Sequence, residues 1–188
     1  MSGKMKLFFD NVARFKFHYW WLVVISMVIH RLPFLLYAPS EAVTFKKTAL
    51  VLSYVILIFA IFRNLKTLGF RFILVGVLLN FAAICFNGGL MPVTPEARSS
   101  AGMSSVEQAV VGRVLPEGSG ILLQAEQTQL WLFTDIVPIE KLGAVCSIGD
   151  LILLAGMITL GIQIIYQAYP RTYLKEHRPV ANNNITER

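Results

Sequence analysis

Apolar residues in this chain gather in four long runs rather than alternating at short period. The first extends from about Phe17 to Ala38 and the second from about Lys47 to Phe62. The third covers about Phe70 to Phe86 and the fourth about Ile148 to Tyr169. A helix needs about 20 predominantly apolar residues to cross a bilayer, with a range of about 17–25. The fourth run meets this, being free of charge from Leu151 to Pro170. The second is short and spans only if Lys46 and Lys47 extend their ammonium groups toward the headgroups. The first is interrupted by His30, Arg31 and Pro33. It either spans whole or breaks near Pro33, laying Leu35–Tyr37 along the interface. The pattern predicts an all-α integral membrane protein with four transmembrane helices and a partly helical extracytoplasmic segment between spans three and four. Its organisation is a cytoplasmic flank at 1–16, spans one to three within 17–86, the extracytoplasmic segment at 87–147, span four at 148–169 and a cytoplasmic tail at 170–188.

The 87–147 segment is the only stretch long enough to fold outside a bilayer. It opens with Asn87-Gly88-Gly89, which admits positive φ and a sharp turn, and Pro92 and Pro95 stop a helix from continuing. Ser104-Ser105-Val106-Glu107 has the form of a capping box, followed by an apolar face of Val106, Ala109, Val110 and Val114. Residues 116–120 read as a turn. Ile121 to Phe133 is too apolar to project into water and is expected on the membrane surface or over the span ends. Ser147 is placed to cap the fourth span. The tail from Ala181 to Arg188 is expected to be disordered.

Composition agrees with this picture. Hydrophobic residues make up 55% of the 188 and charged residues 15%, against about 25% charged in a typical soluble domain. A soluble globular enzyme and a small disulfide scaffold are excluded. The net charge of +6 would suggest nucleic acid in a soluble protein, but the basic residues sit mostly at the ends of apolar runs. Orientation and attraction to anionic headgroups explain them better, so no nucleic acid is expected. Lys4, Lys6, Arg14 and Lys16, then Arg63, Lys66 and Arg71, then Arg171, Lys175, Arg178 and Arg188 all fall on one side of a four-span arrangement. By the positive-inside rule both termini are cytoplasmic and 87–147 is outside, in the plasma membrane of a cell. The first run follows a basic flank, as in a signal peptide, but Arg31-Leu32-Pro33-Phe34 is not a cleavage site, so it reads as a retained span.

Asn64, Gly69, Gly76, Asn80, then Asn-Gly-Gly-Leu-Met-Pro-Val at 87–93, Asp135-Ile136-Val137-Pro138 and Ser-Ile-Gly-Asp at 147–150 occur in this order. The pattern, from about Arg14 to Tyr166, resembles an uncharacterised family of small bacterial multi-span membrane proteins, a domain of unknown function. Thr134 departs from it, since relatives commonly carry Gly there. The resemblance implies a bacterial integral membrane protein and supplies no activity.

Depth along the spans groups the polar residues. Arg31 lies roughly 18 Å beyond Tyr19 at 1.5 Å per residue. His30, Arg31, Asn80, Asn87 and Asp150 then fall at one outer level, contributed by three spans. A charge within a span usually faces a partner or a cavity. One reading is a polar pocket in which Arg31 holds an anionic headgroup or carboxylate and Asp150 orients Arg31. Asp135 and the turn of Gly88, Gly89 and Pro92 would then form its lid. The other is an Arg31–Asp150 pair that only fixes helix contacts. The chain shows no metal motif and no catalytic triad, and no cofactor or catalytic residue is assigned. Cys85 and Cys146 read as free thiols, although both fall near the outer face. Gly149 and Gly156, seven apart, suggest close approach to another span or a second subunit. The first reading of function is an accessory or interaction protein whose outer segment docks a membrane-protein partner or a second copy. The alternative is a binding protein for a lipid or small amphiphile at the pocket around Arg31. An outer-face enzyme is the weakest of the three.

Overall fold

The computed structural model describes residues 9, 12–13, 15–38, 40–103, 111–115 and 119–168. The chain divides into two units, one of residues 17–160 and one of 1–16 with 161–188. In the second, the described residues are a few around a turn in which Phe15 N–H bonds Val12 C=O, and the last part of the final helix. The expected capping box at 104–107, most of the helix after it, residues 116–118 of the expected 116–120 turn and the 181–188 tail lie outside the described residues.

The protein is mostly helical. Helix α1 runs Trp20–Leu36, α2 Val43–Phe62 and α3 Leu68–Phe86. Strand β1 (Met91–Val93) and the short helix α4 (Pro95–Ser100) follow, then β2 (Gly120–Leu122), β3 (Val137–Ile139) and β4 (Ala144–Cys146). Helix α5, Ile148–Ala168, ends the described chain. Helices α2, α3 and α5 are long and apolar enough to cross a membrane, and α1 is a shorter apolar helix. Pro33 does not break α1. The helix continues through it, and Tyr37 N–H bonds the Pro33 carbonyl at its end.

Helix α2 starts at Val43 rather than Lys47, which changes the role of the lysines. Lys46 does not extend away from the bundle. It is buried, and its Nζ donates to the carbonyls of Tyr37 and Ala38 and lies 5.8 Å from the centre of the Phe34 ring. The last carbonyls of a helix lack intrahelical donors and carry partial negative charge. Lys46 therefore closes the turn after α1.

The all-α expectation is corrected by the 87–147 segment. β1 pairs in parallel with β2, with Met91 opposite Gly120, and β3 pairs antiparallel with β4, with Val137 opposite Cys146. A bridge from Val93 to Asp135 links the first pair to the stretch just before β3, and one from Val114 to Ile121 adds to the edge of β2. Val114, expected on a helix, is thus in a β-bridge. Pro92, Val93 and Val137-Pro138-Ile139 favour extended backbone, and each strand is three residues long, too short for a period-two signal. The apolar stretch from Ile121 splits. Leu122 is buried in β2, whereas Leu130, Trp131 and Leu132 are exposed at a 3-10 turn spanning Trp131–Phe133. Leu50, Ala83, Ile84, Leu90, Met91 and Val114 make one buried cluster, so the segment shares a core with the ends of α2 and α3.

Candidate functional site

At the junction of α3 and α5 three residues close a ring through four hydrogen bonds. Ser147 Oγ–H donates to Asn80 Oδ1 at 2.7 Å, and Asn80 Nδ2 donates to Asp150 Oδ1 at 2.8 Å. Asp150 returns two bonds to the cap of its own helix. Ser147 N–H donates to Asp150 Oδ2 at 3.0 Å, and Asp150 N–H donates to Ser147 Oγ at 2.9 Å. This reciprocal capping box satisfies two of the donors that a helix N-terminus leaves open. Ser147 is buried completely, Asn80 is 4% exposed, and Tyr54, stacked on Phe81 at 5.9 Å, adjoins Asn80.

The ring forms because the backbones approach closely. A Cβ on Gly149 would collide with Asn80 Oδ1, and one on Gly76 would collide with the Gly149 carbonyl and lie 2.8 Å from Leu153 N. Seven residues away on each helix, Gly69 faces Leu160, and Gly156 faces Ile73 and the Gly69 carbonyl. The two helices run antiparallel along this glycine seam. The partner of Gly149 and Gly156 is therefore α3 of the same chain. Glycine is required here because any side chain would separate the backbones.

Asn87 does a different task. Its Nδ2 donates to the carbonyls of Ala83 (2.8 Å) and Gln129 (2.7 Å), and its Oδ1 accepts from Gln129 N–H at 2.8 Å. The side chain imitates a strand partner and fixes the loop before Trp131 to the end of α3. Gly88 and Gly89 follow with φ of 75° and 91°, as the turn requires, and Gly89 packs against the Lys47 stem.

His30 and Arg31 stand elsewhere. With Val93, Arg98, Ser119 and Asp135 they line a cavity of about 290 Å³ between α1 and the 87–147 segment. The His30 ring lies 6.3 Å from those of Phe34 and Tyr54. Arg31 is exposed, Arg98 is buried on α4, and Asp135 is half-buried, its N–H bonded to the Pro92 carbonyl at 3.0 Å. Burial first, and the Asp150 charge second, raise the Asp135 carboxyl to about 8. Burial foremost, then the Asp150 and Asp135 charges, push the Cys146 thiol up. Cys85 and Cys146 are free thiols. Among the described residues no three His, Cys, Asp or Glu side chains cluster as metal ligands.

The residues chosen from the sequence thus separate into three groups. Asn80 and Asp150 belong to the α3–α5 ring, while Asn87, Gly88 and Gly89 shape the exit from α3. His30, Arg31 and Asp135 face the cavity. Among the described residues no ion pair joins Arg31 to Asp150, whose two oxygens are held by Asn80 and Ser147. The expected pairing is corrected, because Arg31 projects from α1 into the cavity rather than toward α5. Arg98 was missed. Its signal was present in Thr94-Pro95-Glu96, since Thr94 Oγ1 accepts from Ala97 N–H at 3.2 Å and Pro95 takes the first helical position.

These features define a mostly helical protein with several helices apolar enough to cross a membrane and a small mixed cap over one end. The chain belongs to the family of unknown function DUF5317, which matches residues 14–162. No curated protein and no solved structure matches it.

Proposed function

We propose that this is a four-span membrane protein, with α1 as its short first span, that binds the polar head of an amphiphile in the cavity beside α1. In this reading residues 87–147 lie outside a cell membrane and both termini are cytoplasmic. The observation that carries it is the placement of His30 and Arg31, on an apolar helix, against a cavity closed from the other side by Arg98 and Asp135. Charge on such a helix is costly and ordinarily serves a partner or a pathway. Small-molecule sites run from about 300 to about 1,000 Å³, so this one suits a headgroup rather than a whole lipid. Exposed Leu130, Trp131 and Leu132, held beside the end of α3 through Asn87, support headgroup depth for the cavity mouth.

A second reading, docking of a membrane-protein partner or a second copy, is favoured by Leu142, 73% exposed on a turn of the cap. Native mass spectrometry of protein extracted with its surrounding lipid separates the two. A stoichiometric phospholipid mass retained by the wild type and lost in Arg31→Ala supports the cavity. A retained polypeptide with no small mass supports docking and overturns the cavity reading.

A further inference from the structure

We propose that the cavity selects a zwitterion, a phosphate joined to a primary ammonium, with the phosphate toward Arg31 and Arg98 and the ammonium toward Asp135. This rests on the cavity reading above and names the chemistry of its ligand. The walls carry two guanidinium groups and one carboxyl, contributed by three separate parts of the chain: α1, α4 and the bridge beside β1. Guanidinium groups match phosphate oxygens through paired N–H donors. A purely anionic ligand would place its charge in a small space that also holds Asp135. A zwitterion meets both signs at once.

The carboxyl also distinguishes among cations. A primary ammonium offers three N–H donors to an acceptor, whereas a quaternary ammonium offers none. Asp135 is half-buried, and that burial, with the Asp150 charge second, disfavours its ionised form and holds its carboxyl high. An ammonium beside it favours the ionised form that burial disfavours. Ser119 and His30 add hydrogen-bonding capacity on the same walls. The volume accommodates the phosphate and amine and leaves acyl chains outside.

The same headgroup chemistry exists on a phospholipid and on free phosphoethanolamine, so the test uses both. The full chain is placed in nanodiscs with equal phosphatidylethanolamine, phosphatidylglycerol and phosphatidylcholine, and retained lipid is read by native mass spectrometry. The expected result is phosphatidylethanolamine favoured over each of the others by about tenfold, the scale of one charge-assisted hydrogen bond. Asp135→Asn should remove that preference while total phospholipid retention persists, and Arg31→Ala should lower retention of all three. Soluble phosphoethanolamine is added to the same nanodiscs. Displacement of lipid at millimolar concentration assigns the site to the free compound, and no displacement assigns it to the lipid. Equal retention of the three lipids by the wild type, with loss of all in Arg31→Ala, overturns the zwitterion and leaves the cavity reading standing. Retention of neither lipid nor phosphoethanolamine overturns both. The wild-type ratio decides the matter even if Asp135→Asn does not fold.

Discussion

The seam between α3 and α5 and the cavity between α1 and the cap handle polar groups in opposite ways. At the seam, glycines bring two backbones together, and Asn80, Ser147 and Asp150 spend their hydrogen bonds on one another. At the cavity the elements diverge, and Arg31 and Asp135 line open space. Both regions contain a carboxyl, yet only one is enclosed in a ring of donors. The difference teaches that a polar residue in an apolar run is not by itself a site. What matters is whether its neighbours within the chain already complete it.

Substitutions can break this contrast. Gly76→Leu should be the most damaging, since no backbone atom of Gly149 or Leu153 can move aside. A loss of about 3 kcal/mol is expected, read as collapse of folded yield and of the thermal midpoint in detergent. If the midpoint were unchanged, α3 and α5 would not touch backbone to backbone at Gly76 and Gly149. Asn80→Ala comes next, because it leaves Ser147 Oγ and Asp150 Oδ1 without their partner in a buried site. It should cost about 2 kcal/mol.

Acidity sharpens the other side. The Asp135 carboxyl is raised from 3.8 to about 8 in the folded protein, so the folded state holds that proton more tightly than the unfolded chain. Its contribution to stability is full below pH 3.8, declines as pH rises toward about 8, and is flat above that. Thermal midpoints measured across this window should fall with pH, and Asp135→Asn should flatten the fall. A fall of equal size in the variant would assign the dependence to other groups. Asn87→Ala should cost about 1 kcal/mol. Hydrogen exchange should rise around Gln129 while α3 and α5 stay protected. The smallest effect on stability is expected for exposed Arg31→Ala, within about 0.5 kcal/mol, although it should lower headgroup retention. A large destabilisation would return Arg31 to a structural role.

Much of the helical frame was legible because long apolar runs leave few alternatives. The runs at 43–62, 68–86 and 148–168 are helices within a few residues of where hydropathy places them. The cap of Ser147 on its helix and the positive φ of Gly88 and Gly89 were legible for a local reason, since each depends on residues within a turn. The strands were not, because three-residue segments carry no periodicity and their partners lie up to about thirty positions away. Lys46 misled for a related reason. The sequence shows a lysine at the end of an apolar run, and only the turn after α1 reveals carbonyls within its reach.

Sequence alone therefore determined that the chain is dominated by apolar helices and where those helices turn. Hydropathy and local backbone preference act over a few residues and need no knowledge of neighbours. Which polar residues complete one another was decided by tertiary structure. Asn80 meets Asp150 seventy positions away because Gly76 and Gly149 let their helices touch, whereas Arg31 is turned into a cavity by the direction in which α1 presents it. Hydrogen bonds and charge pairs act over a few ångströms, and distance along the chain does not fix distance in space.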